Sequence, residues 1–150
     1  MEYHVDRIDL EAQPTAVVRG IVAQDAIAEF LGGAFGEVIG AISAQGLAPA
    51  GPPFGCYVPT AEGFEIEAGF PASAPIAPTG RVVASELPGG TALVVLHRGP
   101  YAAVSAAYTA AEDWLADNAW ESTGQPWEAY LDGPEVAEPR TLVHVPIRPA

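Results

Sequence analysis

The chain repeats itself, and this repetition limits the folds open to it more than any single motif does. "TAVVRG", a helical stretch, "FGCYVPT" and "FEIEAGF" recur in the same order as "TALVVLHRG", a helical stretch, "PWEAYL" and "TLVHVPI". Thr91 follows Thr15 by 76 positions and Tyr130 follows Tyr57 by 73, so the spacing repeats with the pattern. A further strand leads each unit, "YHVDRIDL" (3–10) in the first and "RVVASEL" (81–87) in the second. A strand–helix–strand–strand unit standing alone leaves one sheet face bare, so the two halves must pack together. The expectation is one α+β domain over residues 1–150, with halves at about 1–70 and 81–148 joined by the proline-rich connector 71–80. Its antiparallel sheet carries two helices on one side, and a crevice at the pseudo-twofold axis is the default place for a ligand.

The individual elements follow from residue periodicity. Residues 15–22 are rich in β-branched side chains and read as a strand. Between Ala23 and Gln45, Ile27, Leu31, Phe35, Val38 and Ile42 recur at three- and four-residue steps, which is one face of a helix. Gly32, Gly33, Gly36 and Gly40 lower its propensity and let it lie close to a sheet. The segments 54–60 and 64–70 read as a hairpin turning near 61–63. Pro100 opens a second helix, where its missing N–H costs nothing. Tyr101, Val104, Tyr108, Ala111 and Leu115 form the buried face of that helix. Segments 125–131 and 141–147 close the chain as strands around a turn at 132–139.

Charge narrows the partners. Nineteen acids stand against six bases, all arginine, for a formal charge of −13. Six scattered arginines cannot build the cationic face that nucleic acid requires, so direct nucleic-acid binding is not expected. An anionic membrane surface repels such a chain, and no apolar stretch is expected to reach the ~18 residues of a spanning helix. The field suits cationic or neutral small molecules. The single cysteine, Cys56, makes no intramolecular disulfide. The N-terminus lacks the basic and apolar regions of a signal peptide, so a reducing cytoplasm is the expected address.

Glu128 stands out by its company. In Pro126-Trp127-Glu128-Ala129-Tyr130-Leu131, strand alternation puts Glu128 and Tyr130 on one face and Trp127, Ala129 and Leu131 on the other. A carboxylate in an apolar, aromatic strand costs free energy unless it is paired or awaits a cation. The plainer alternative is an edge-strand glutamate facing water. Tyr57, Phe70, Tyr101, Tyr108, Trp114, Trp120, Trp127 and Tyr130 make up the aromatic set, and core packing is the favoured role for Tyr108 and Trp114. Buried tyrosines need hydroxyl partners, so several converging ones suit a wet cavity. Glu67 reads as a residue of a solvated outer face, the alternative being a second anion in the cavity. His4, His97 and His144 have no metal-ligand spacing, and Cys56 has no histidine near it in sequence. Phosphate-binding and dinucleotide fingerprints are absent, so neither metal nor organic cofactor is expected.

Taken together, "FEIEAGFP", "LPGGTALVVLHRGPY", a helix ending in "DWL", "PWEAYLDGP" and "TLVHVPI" resemble the GyrI-like small-molecule-binding family. That family includes effector-binding domains of AraC- and MerR-type multidrug regulators, and the likeness runs from Tyr3 to Ile147. The resemblance implies a duplicated fold with a ligand cavity between the halves. It also implies a glutamate in an E-x-Y context at the cavity floor, matching Glu128 and Tyr130, that meets lipophilic or cationic ligands. Tyr57, Phe70, Tyr101 and Trp127 match its aromatic walls. No helix-turn-helix precedes the first strand, so a stand-alone version that senses or sequesters its ligand is expected. Two other activities remain open by resemblance. One is a hydrolase of strained or activated electrophiles with Glu128 as general base; the other is a protein inhibitor of an enzyme such as DNA gyrase. A homodimer or a separate protein partner is likewise left open.

Overall fold

The computed structural model describes residues 3–133 and 135–150; Pro134, within the expected turn at 132–139, lies outside the described residues. The chain forms two compact units, one being Ala12–Leu87 and the other the chain before and after it.

In the Ala12–Leu87 unit, β2 (Gln13–Val22) pairs antiparallel with β4 (Gly63–Pro71) on one side and with β5 (Val83–Leu87) on the other. β4 in turn pairs with β3 (Phe54–Thr60) through a hairpin in which Gly63 takes a φ of 144°. The wide positive φ explains why glycine stands there. Helix α1 (Ile27–Ala44), led by a 3-10 turn at Gln24–Ala26, lies on β2 and β4. Ala34, Val38, Ala41 and Ile42 of the helix meet Ala16, Val18, Ile66 and Ala68 of the sheet in the core. Burying these side chains is the main stabilising term here, at roughly 25 cal/mol per Å² of apolar surface. The connector is partly structural, since Ala72 and Ile76 join this core.

In the other unit, β6 (Gly90–Arg98) pairs antiparallel with β1 (Val5–Leu10) and β9 (Arg140–Pro149). β9 pairs further with β8 (Trp127–Tyr130) and with a short β7 (Trp120–Ser122). Helix α2 (Ser105–Asn118), led by a 3-10 turn at Tyr101–Ala103, packs on β6, β9, β7 and β1. Ala107 and Ala111 of α2 meet Leu93, Val95, Val143, Val145 and Ile147. Each unit is thus an antiparallel sheet with one helix on one face, as the α+β reading expects.

Three details differ from that reading. The leading strands are exchanged: β1 joins the sheet of residues 88–150, and β5 joins that of residues 12–71. Sequence order groups β1 with β2, but its backbone partners are supplied by β6. β7 was not expected, because three residues after a helix carry too little periodicity to mark a strand. Finally, one segment does reach spanning length, the 21 residues Gln24–Ala44. Its apolar character serves packing, since one face fills the core and Glu29 and Glu37 stand exposed on the helix.

Candidate functional site

The site is built on the face of β8 that turns toward α2. Pro126 precedes the strand, where its missing N–H removes no ladder bond. Alternation then buries Trp127, 4% exposed, and Ala129, 7% exposed, on the far face. There Trp127 stacks on His144 of β9, with centroids 4.9 Å apart and planes within 5°. Burial holds His144 down to a pKa of about 4, so its ring is neutral at pH 7.

Glu128 and Tyr130 take the near face, as the alternation requires. The Tyr108 hydroxyl, from α2, donates to Glu128 Oε2 at 2.7 Å, and the Tyr130 hydroxyl donates to Oε1 at 3.1 Å. Burial raises the Glu128 pKa above the usual carboxylate value; the bonds from Tyr108 and Tyr130, and then His97 nearby, pull it back in part. Among the described residues no arginine pairs with this carboxylate.

The same face continues across the sheet. Tyr130 stands opposite Thr141, and Thr141 opposite His97. His97 is 2% exposed; its Nε2–H donates to the Pro100 carbonyl at 2.9 Å. Its Nδ1 meets the Tyr3 hydroxyl at 3.0 Å. Thr141 is fully buried and its hydroxyl has no partner among the described residues.

Tyr101 closes the far end. Its ring meets Tyr130 edge-on at 5.7 Å, and its hydroxyl donates to the Asp132 carbonyl at 2.7 Å. Burial first, then Glu135 and Asp132, raise the Tyr101 pKa. Arg140 clamps Asp132 through Nε at 2.8 Å, Nη2 at 3.1 Å and its backbone N–H at 3.0 Å. That clamp lowers the Asp132 pKa and fixes the carbonyl that holds Tyr101.

Of the residues singled out from sequence, the fold brings Glu128, Tyr130 and Tyr101 together. Trp127 takes the opposite face of β8. Tyr57 and Phe70 belong to the Ala12–Leu87 unit, where Tyr57 meets Phe64 at 6.5 Å and Phe70 meets Phe35 at 5.8 Å, both edge-on. Glu67 faces Arg19, whose Nε donates to it at 2.9 Å, and Ser85, which donates at 2.9 Å. Tyr108 packs against the core as expected, and its hydroxyl also bonds Glu128, which core packing alone does not foresee. The available signal was its position seven residues from Tyr101 on one helical face.

Comparison with known proteins agrees with the fold. The model of a GyrI-like small molecule binding domain matches residues 4–148. The crystal structure of the EcmrR C-terminal domain is similar over 100% of both chains, with TM-score 0.84 and 23% identity. In the cryo-EM structure of an EcmrR–DNA complex the likeness covers 99% of this chain and 58% of that one, with TM-score 0.82 and 22% identity. The structure of SAV2435 bound to tetraphenylphosphonium matches over 99% and 94%, with TM-score 0.67 and 16% identity. A hydrolase from Listeria innocua matches over 96% and 91%, with TM-score 0.68 and 14% identity. No curated protein matches the chain.

Proposed function

Because the chain belongs to the GyrI-like small molecule binding domain family, we propose that Glu128 is the charge-reading group of a site for lipophilic cations. One observation carries this reading: a mostly buried carboxylate meets two tyrosine hydroxyls and, among the described residues, no arginine. An ionised group in that setting is costly until an opposite charge arrives. A lipophilic cation supplies the charge together with apolar surface. Tyr101 and Tyr130, set edge-on, add cation–π attraction. Trp127 lies on the opposite face of β8, and Tyr57 and Phe70 belong to the Ala12–Leu87 unit, so the reading rests on Glu128, Tyr130 and Tyr101. The likeness to SAV2435, whose structure holds tetraphenylphosphonium, supports a cation of this kind.

Titration with tetraphenylphosphonium at pH 7 should give micromolar affinity, about 8 kcal/mol. Glu128→Gln should weaken the phosphonium at least tenfold and leave a neutral ligand of similar size within twofold. Equal loss for both would mean that Glu128 acts structurally.

One observation favours a second reading. The raised pKa of Glu128, with tyrosine hydroxyls close by, also suits a general base. Glu128 would take a proton from water as the water oxygen bonds to an electrophilic carbon, and a tyrosine would protonate the departing oxygen. Incubation with epoxides or activated esters tests it. Multiple turnovers that rise with pH and vanish in Glu128→Gln would make hydrolysis the better reading.

A further inference from the structure

Beside Glu128, on the same face of the same sheet, a recess of about 130 Å³ opens. Its floor is Val145, two residues beyond the Val143 that opposes Glu128. Pro126, two residues before Glu128, continues the same face from β8. One wall is a single helical stripe of α2, Tyr108, Ala111, Glu112 and Leu115. The other is Ser122 at the end of β7, with Gly124 and Pro126. Tyr108 belongs to both compartments: its ring lines the recess while its hydroxyl is turned to Glu128.

Size and chemistry define the occupant. An apolar cavity of ~150 Å³ takes one benzene ring, so this recess admits one ring and excludes a multi-ring cation. Ala111, Leu115, Pro126 and Val145 supply apolar contact. Glu112 and Ser122 are exposed beside them, and among the described residues Glu112 has no ion pair. In a protein of formal charge −13 the preferred charge on a ligand is positive. We propose that this recess is a second ligand site, which takes a monocyclic arylalkyl ammonium ion. The ring lies between α2 and Pro126, and the ammonium group meets Glu112 and the Ser122 hydroxyl. The site stands apart from the reading given to Glu128.

The test uses the whole chain and benzylamine, followed by amide NMR shifts. Benzylamine should saturate and shift residues 108–115 and 122–126, and benzyl alcohol, with the same ring and no charge, should bind at least fivefold more weakly. Glu112→Gln, at an exposed helical position, should weaken benzylamine about fivefold and erase that difference. Tetraphenylphosphonium should leave bound benzylamine in place. Absence of saturation, indifference to Glu112→Gln, or displacement by the phosphonium would each overturn the proposal. Displacement would assign the amine to Glu128 instead, and failure here with phosphonium binding intact leaves the Glu128 reading standing.

Discussion

Tyr57 and Tyr130 make the same gesture over different neighbours. They lie in matching strands, β3 and β8, and each hydroxyl folds back toward the residue two positions earlier. For Tyr130 that residue is Glu128, bonded at 3.1 Å. For Tyr57 it is Gly55, where an added Cβ would lie 2.8 Å from the hydroxyl oxygen. The register extends the comparison across each sheet. Tyr130 opposes Thr141 and then His97, whereas Tyr57 opposes Ile66 and then Gly20. The Phe30 ring covers Gly20, within 2.7 Å of where a Cβ would stand. Counted from their leading 3-10 turns, Leu31 of α1 stands where Tyr108 stands in α2. One backbone plan thus carries an apolar column in one unit and a polar, charged one in the other. The duplicated fold fixes where the tyrosines point, and the chemistry depends on what lies beneath them.

The harshest way to break this comparison is to charge the apolar column. Gly55→Glu forces the Tyr57 ring aside and puts a carboxylate into a buried position of an apolar column, so it should cost about 3–5 kcal/mol in chemical denaturation. A cost under 1 kcal/mol would show the columns to be interchangeable. The next effect comes from His144. Its pKa is depressed from 6.5 to about 4 in the fold, so its stabilisation is complete above pH 6.5 and lost as pH falls toward 4. His144→Phe keeps a ring beside Trp127 and should recover up to about 3 kcal/mol of stability at pH 4 relative to wild type.

Glu128 has the opposite sign. Its raised pKa favours the protonated carboxyl, so its contribution is present at low pH and lost as pH rises through the raised value. Glu128→Gln should therefore raise the melting temperature of the ligand-free protein at pH 7 but not at pH 4. An unchanged melting temperature at pH 7 would contradict the buried-charge account. The smallest effects separate the two donors. Tyr108→Phe and Tyr130→Phe should each weaken cation binding about 2–5-fold at pH 7, because each removes one bond to the ionised form. Both should move the acid limb of binding to higher pH, Tyr108→Phe further because its bond is shorter, at 2.7 Å against 3.1 Å.

Much of this was legible in the residues. Period-two alternation is local, so Glu128 and Tyr130 could be placed on one face without knowing the partner strands. The repeat marked Tyr57 and Tyr130 as counterparts. Long-range pairing is not written locally: β1 carries no mark that sends it to β6 rather than to β2, and the exchange of leading strands went unread. Tyr108 shows a second limit. Helical periodicity says that it is buried, but its hydroxyl partner comes from a strand twenty residues away. The roles of His97 and Thr141 likewise depend on register across β6, β9 and β8.

The exchanged leading strand has a consequence for how the chain is made. Val5 pairs with Val95, so β1 emerges from the ribosome about ninety residues before its partner. At 5–20 residues per second it waits on the order of ten seconds. The segment Ala12–Leu87 contains its own strand partners and completes first. Meanwhile β1 is an unpaired strand, the kind of edge on which another nascent chain can template. Asp6, Arg7 and Asp9 place charges along it, and those charges keep the strand solvated and discourage pairing with neighbouring chains. β1 therefore docks only after β6 has been made, and Glu128 lies on a strand made later still.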